Sequence, residues 1–132
     1  MRVGVPTEIK PGEHRVGLTP IAVREYVAHG HQVLVQSGAG QGAGYADEVY
    51  ERAGAQIAPD AEAVFAQAQM IVKVKEPQAV EWARLTTDHI LFTYLHLAPD
   101  PAQTEGLLAS GCAPGAYETV TDARGGLPLL AP

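Results

Sequence analysis

Short apolar runs rich in β-branched residues alternate along the chain with stretches whose apolar residues recur at helical spacing. Strands that alternate with helices are joined by crossover connections, and such connections produce parallel sheets. The predicted strands are residues 2–6, 33–35, 70–74, 90–94 and 113–117, with a brief strand at 56–57. The alternation therefore predicts an α/β fold, a single-domain, doubly wound and mostly parallel sheet of the Rossmann or flavodoxin-like kind.

Three helix starts are marked by residues that cap helices. Thr19 precedes Pro20, and Asp100 precedes Pro101, so a capping side chain is followed by proline at the first helical position. Asp60 is predicted to cap a helix that runs to about residue 68. Further short helices are predicted at residues 47–53 and 80–85.

The composition excludes several classes of protein. Nine Lys and Arg residues stand against 15 Asp and Glu residues, for a formal charge of −6, and nucleic acid or an anionic membrane would require a basic surface. One cysteine cannot form an internal disulfide, no apolar run reaches about 18 residues, and the first residues lack a signal-peptide layout. We expect a cytoplasmic protein that binds neither nucleic acid nor membrane.

A glycine-rich loop, residues 37–45, lies between a predicted strand and a predicted helix. Gly38, Gly40 and Ala43 satisfy a permissive dinucleotide fingerprint, whose glycines let the backbone approach a pyrophosphate. Asp47 and Glu48 follow at the start of the helix, where their charges would repel a phosphate. The pattern favours a simple β-to-α connection and leaves dinucleotide binding as the alternative.

Three polar residues follow predicted strands at their carboxyl ends, where open α/β sheets bind ligands. Arg15 comes after the first strand, Lys75 after the strand at 70–74, and His96 after the strand at 90–94. An arginine fork suits a carboxylate, and histidine exchanges protons near neutral pH. Together they predict a pocket for a small anion such as a 2-oxo or 2-amino acid, although a surface arginine and a structural histidine are the alternatives.

Lys73 and Lys75 are predicted to project from the opposite face of their strand to Val72 and Val74. An unpaired ammonium is costly to bury, so a central strand seldom carries lysine. The alternative to a ligand role for Lys75 is therefore an edge strand with two solvated lysines. The spacing of histidine, cysteine and carboxylate residues predicts no metal site.

Blocks that span the chain resemble the alanine dehydrogenases, within the family they share with the pyridine nucleotide transhydrogenases. The blocks are MRVGVPTEIKPGEHRVGLTP, SGAGQGAGY, VKVKEP, ILFTYLHLA, AYETV and LPLLAP. The nucleotide-binding subunit of proton-translocating transhydrogenase and saccharopine dehydrogenase share this layout. The segment Tyr94-Leu95-His96, which transhydrogenases generally lack, makes the resemblance to alanine dehydrogenase the stronger one.

The resemblance implies an oxidoreductase that reversibly converts L-alanine, NAD and water to pyruvate, ammonium and NADH in amino-acid catabolism. Arg15 matches the residue that holds the substrate carboxylate, Lys75 matches the substrate-binding lysine and His96 matches the catalytic histidine. Glu118 is a weaker candidate for orienting these groups.

The resemblance also implies a division of labour along the polypeptide. Residues 1–132 correspond to the N-terminal substrate-binding domain, and the family binds NAD through a separate domain further along, so no cofactor residue is expected in the glycine loop. We expect this chain to be inactive alone and its parent enzyme to be a homo-oligomer. Two alternatives are the transhydrogenase subunit and a non-catalytic module that binds small carboxylates.

Overall fold

The computed structural model describes residues 1–93 and 113–116 of the chain, the latter as a strand. The elements follow one another as β1 (Arg2–Val5), α1 (Pro20–Ala28), β2 (Gln32–Gln36), a 3₁₀ turn (Gln41–Ala43), α2 (Asp47–Arg52), β3 (Gln56–Ala58), α3 (Ala61–Gln67), β4 (Met70–Val72), α4 (Ala79–Trp82), β5 (Ile90–Thr93) and β6 (Ala113–Ala116).

The strands form one parallel sheet in the order β3-β2-β1-β4-β5-β6. The chain begins in the middle at β1, builds outward to β3, and then returns to place β4 on the other side of β1. The direction of winding therefore reverses between β1 and β4, which is the point where ligands bind in sheets of this kind. The predicted doubly wound α/β fold is confirmed.

Two apolar clusters cover the sheet. Val3 and Val5 of β1 belong to a cluster that includes Val23 of α1 and Tyr50 of α2. The second cluster contains Val64 and Phe65 of α3 with Ile71 and Leu91 of the sheet. Successive strand residues face opposite ways, so the helices on the two sides bury alternate positions of the same strands.

Gly4 shows how closely α3 lies on the central strand. A Cβ atom at Gly4 would come within 2.6 Å of Ala68 Cβ and 2.8 Å of Val64 Cγ1. Glycine in the interior of β1 therefore has a packing cause, since any side chain would push α3 away from the sheet.

The predicted helix starts at Thr19 and Asp60 are confirmed. Thr19 Oγ1 accepts the Ala22 N–H at 3.2 Å, and Asp60 Oδ1 accepts the Ala63 N–H at 2.9 Å. These bonds satisfy backbone donors that the first helical turn leaves open. The helix predicted after Asp100 lies outside the described residues.

The strand predicted at 70–74 ends at Val72 instead. The backbone N–H groups of Val74 and Lys75 donate to the carboxylate of Glu8. A side chain thus takes two donors that a longer strand would have directed at its neighbour. Among the described residues, no helix is long and apolar enough to cross a membrane.

Candidate active site

The loop between β1 and α1 and the segment after β4 meet at the carboxyl ends of the two central strands. A Cβ atom at Gly17 would lie 2.4 Å from the carbonyl oxygen of Val72, so the loop passes directly against the end of β4. We refer to the five charged residues at this place as the β1/β4 cluster, which consists of Glu8, Glu13, Arg15, Lys73 and Lys75.

Arg15 is exposed and pairs with Glu13 on the same loop. Its Nε donates to Glu13 Oε2 at 2.9 Å, its Nη2 donates to Oε1 at 2.7 Å, and its backbone N–H also donates to Oε2 at 2.9 Å. The side chain of Arg15 is 68% exposed and that of Glu13 is 7% exposed. The pair is therefore bidentate, the geometry in which arginine recognises carboxylates.

The positive charge of Lys75 also lowers the pKa of Glu13. The pKa of Glu13 is lowered to about 2, chiefly by the hydrogen bond from Arg15, with a further contribution from the positive charge of Lys75. Arg15 and Lys75 are 60 positions apart in sequence, yet the positive charge of each lowers the pKa of Glu13. The structure thus places Arg15 against Glu13 and, through Glu8, holds the backbone of Lys75 to the same loop.

Lys73 is buried, and two carboxylates flank its ammonium. Its Nζ lies 3.2 Å from Glu8 Oε1 and 3.3 Å from Glu81 Oε2, and the side chain is 1% exposed. The strand β4 lies between β1 and β5, so the alternative of an edge strand with two solvated lysines is wrong. The physical reason is pairing, because two carboxylates offset the cost of burying the ammonium.

Glu81 is the second carboxylate beside the buried Lys73 ammonium. Its Oε1 accepts the Gln78 N–H at 2.9 Å, which completes a capping box at the start of α4. Burial raises the pKa of the Glu81 carboxyl, and the neighbouring Glu8 carboxylate adds to that effect while Lys73 opposes it. One ammonium beside two carboxylates leaves an excess negative charge. This excess favours the protonated form of Glu81.

A further ion pair joins the two segments nearer the surface. Lys10 Nζ donates to Glu76 Oε1, linking the loop after β1 to the segment after β4. Together with the Glu8 contacts, it fixes the position of the loop that carries Arg15 relative to the segment that carries Lys75.

The glycine loop, residues 37–45, uses its polar donors internally. Asp47 Oδ1 accepts the Gly38 N–H at 2.9 Å, and Asp47 Oδ2 accepts the Ser37 hydroxyl at 2.7 Å. A carboxylate therefore occupies the place where a phosphate would need open donors and no negative charge. A cavity of about 470 Å³ beside the loop includes both Asp47 and Glu48 in its wall.

Close packing explains two glycines of this loop. A Cβ atom at Gly40 would lie 2.5 Å from Tyr50 Cε2, and one at Gly42 would lie 2.8 Å from the His14 carbonyl oxygen. The hydroxyl of Tyr50 donates to the Leu18 carbonyl at 2.8 Å, and burial raises the pKa of Tyr50 to about 12. The loop thus packs as a support beneath the segment that carries Arg15.

A second cavity, of about 650 Å³, lies at the opposite edge of the sheet, near the starts of β1, β4 and β5. His89 in its wall accepts the Thr86 N–H at Nδ1 (3.0 Å), so its Nε2 carries the proton and donates to the Phe65 carbonyl (2.7 Å). This buried histidine fastens β5 to α3. Within residues 1–93 and 113–116, no group of three or more histidine, cysteine or acidic residues could hold a metal ion.

Two predicted site residues, His96 and Glu118, lie outside the described residues. Sequence reasoning missed the roles of Glu8, Glu13 and Glu81. One signal was available, since Lys73 in the apolar run at 70–74 required a buried partner if the strand was central. The partners themselves lie up to 65 positions away and could not be chosen from spacing.

The chain is similar over almost its whole length to proteins of one family. The profile of the family described as "Alanine dehydrogenase/PNT, N-terminal domain" matches residues 4–132. The alanine dehydrogenase of Halomonas elongata is 54% identical over 132 residues, which cover all of this chain and 36% of that protein.

Solved structures point the same way. A structure of L-alanine dehydrogenase superposes with a TM-score of 0.95 at 48% identity, covering 98% of this chain and 36% of its own. A transhydrogenase from Sinorhizobium meliloti gives a TM-score of 0.86 at 26% identity, covering 94% of this chain and 37% of its own. This chain, which spans about a third of the length of these relatives, belongs to the alanine dehydrogenase/PNT N-terminal domain family.

Proposed function

We propose that the chain is the substrate-binding domain of an NAD-dependent L-alanine dehydrogenase. The complete enzyme would convert L-alanine, NAD and water reversibly to pyruvate, ammonium and NADH. The observation that carries the proposal is that the Glu8 carboxylate holds the segment of Lys75 against the loop of Arg15 at the β1/β4 edge, where Arg15 forms a bidentate pair with a carboxylate. A guanidinium and an ammonium carried by these two segments suit a substrate carboxylate.

Each residue has a distinct role in this proposal. Arg15 binds the substrate carboxylate through its planar fork. Lys75 contacts the carboxylate or carbonyl oxygen and stabilises the negative charge that develops there. His96 moves protons as the amine becomes imine, carbinolamine and ketone, and Glu118 orients these groups.

NAD would accept the hydride, and the rest of the enzyme would bind the NAD. In the part of the chain that the structure describes, the glycine loop does not suit a pyrophosphate, because Asp47 already holds the Gly38 N–H and adds a negative charge. In this proposal residues 1–132 supply substrate-binding residues and no NAD site. We therefore expect the isolated chain to lack dehydrogenase activity.

The proposal extends to the partners of the complete protein. Its small-molecule partners are L-alanine and pyruvate, and we expect no nucleic-acid or membrane partner, since residues 1–132 carry a formal charge of −6. We place it in the cytoplasm as a homo-oligomer, on the strength of its family relationship.

The test is a chimeric enzyme in which this chain replaces the matching 36% of the Halomonas elongata alanine dehydrogenase. We expect NADH oxidation that depends on pyruvate and ammonium. His96→Ala and Lys75→Ala should each reduce turnover by at least about 10²-fold, whereas the control Arg24→Met, at an exposed position of α1, should not.

Other outcomes would identify the alternatives. Near-normal turnover after either substitution would show that the assigned roles are wrong. Hydride exchange between two nucleotides without pyruvate would favour a transhydrogenase. An inactive chimera, together with pyruvate binding by the chain alone, would favour a non-catalytic carboxylate-binding module.

A further inference from the structure

Lys75 carries its charge at the end of a long side chain that follows a strand end. The backbone of residue 75 sets the point from which this flexible side chain extends, so a shift of that peptide changes the positions that the ammonium can reach. Small displacements of a group that contacts the reacting atoms are costly to catalysis. The supports of this peptide therefore matter as much as the side chain.

The carboxylate of Glu8 holds three consecutive residues of the segment after β4. Oε1 accepts the Lys75 N–H at 3.0 Å and lies 3.2 Å from Lys73 Nζ, while Oε2 accepts the Val74 N–H at 3.0 Å. The side chain of Glu8 is 2% exposed, so water does not compete for these bonds. A carboxylate suits the task because both of its oxygens accept, whereas an amide would turn an NH₂ group toward one of the donors.

A second buried side chain bonds to the backbone carbonyl group of Lys75. Thr93 Oγ1, on β5, donates to the Lys75 carbonyl oxygen at 2.6 Å, and Thr93 is fully buried. The Lys73 N–H also donates to the Phe92 carbonyl at 3.0 Å, which ties the segment to β5. Both polar groups of the Lys75 backbone are thus bonded to buried side chains from two different segments.

We infer that Glu8 is a positioning residue that sets the place of the Lys75 ammonium, with Thr93 holding the opposite side of the same residue. The inference rests on the proposed function, since it concerns how Lys75 reaches the substrate. Glu8 itself contacts the backbone and Lys73 and acts on substrate through Lys75.

The experiment uses the chimeric enzyme with Glu8→Gln and Thr93→Val, and Glu62→Gln as the matched control. Glu62 lies on an exposed face of α3, so its substitution makes the same chemical change away from the cluster. We expect both test variants to raise KM for pyruvate by about 10-fold or more and to leave KM for NADH unchanged. The control should leave both constants unchanged.

Amide hydrogen exchange gives a second readout. The Val74 and Lys75 N–H groups should exchange slowly in the unsubstituted protein and faster in Glu8→Gln. Thr93→Val preserves side-chain shape and adds no charge, so it decides the question if Glu8→Gln does not fold.

The outcomes separate the two proposals. A lower melting temperature with unchanged kcat and unchanged KM for pyruvate would mean that Glu8 and Thr93 only stabilise the fold, and would overturn the inference. A chimera without pyruvate-dependent activity before any substitution would overturn the proposed function, and the substrate role of the Glu8 contacts would fall with it.

Discussion

Two neighbouring places at the carboxyl edge of this sheet differ in how their sequence relates to their chemistry. The glycine loop, after β2, has the pattern of a phosphate site, yet Asp47 takes the Gly38 N–H and its glycines accommodate Tyr50 and His14. The β1/β4 cluster has no familiar local motif, yet it gathers two acids and three bases, Lys75 among them, from two distant segments. A motif predicts a function only when its donors remain available to a ligand.

The largest loss of stability is expected where the β1/β4 cluster buries charge. Lys73→Met would leave the Glu8 and Glu81 carboxylates buried without their shared ammonium. We expect the free energy of unfolding to fall by about 3–5 kcal/mol, measured by urea denaturation. Lys10→Met, which removes the half-exposed partner of Glu76, should cost about 1 kcal/mol or less. Equal losses for the two variants would show that burial does not raise the contribution of the Lys73 ammonium to stability.

The glycine loop should be sensitive to volume. Gly42→Ala would place a methyl group 2.8 Å from the His14 carbonyl oxygen, a backbone atom that cannot rotate away. We expect a loss of about 1–3 kcal/mol in the free energy of unfolding. Gln41→Ala, at an exposed position of the same loop, should have little effect. If Gly42→Ala were neutral, the loop would not support the segment that carries Arg15.

The polar bonds of the glycine loop should contribute less. Asp47→Asn keeps one oxygen to accept the Gly38 N–H and turns an NH₂ group to the Ser37 hydroxyl, which then accepts, so two bonds to a carboxylate become weaker neutral bonds. We expect a loss of about 0.5–1.5 kcal/mol by thermal denaturation, with Glu48→Gln as the matched control on α2. Calorimetric titration should show no gain of NADH binding. Tight binding of NADH by Asp47→Asn would reveal a phosphate site that Asp47 blocks.

The smallest effect on stability is expected at the surface of the β1/β4 cluster. The folded pKa of Glu13 is about 2, below its ordinary value of 4.5, so its stabilising effect is present above pH 4.5 and is lost as the pH falls toward 2. Arg15→Met should cost at most about 1 kcal/mol at pH 7, because the guanidinium is largely exposed. NMR titration should place the pKa of Glu13 closer to 4.5 in the variant. An unchanged pKa would show that Arg15 does not hold this carboxylate.

The sequence predicted the fold well because fold signals are local. Apolar runs, the cap at Thr19 and the cap at Asp60 depend on residues within one or two turns, and the structure confirms them. The end of β4 was predicted two residues too late, since the Glu8 side chain that terminates the strand lies 66 positions from Val74. The meeting of the loop that carries Arg15 with the segment that carries Lys75 is predictable because parallel strands end at one edge. The roles of the two side chains stay predictions.

The amino-acid sequence by itself determined the alternation of strands and helices, the helix caps and the edge at which charged residues would gather. Only the tertiary structure decided that Lys73 is buried between Glu8 and Glu81, that Glu13 pairs with Arg15, and that Asp47 bonds to the glycine loop. Periodicity and capping follow from backbone geometry over a few residues. Whether a charge is solvated, paired or presented to a ligand depends on which distant segments pack around it.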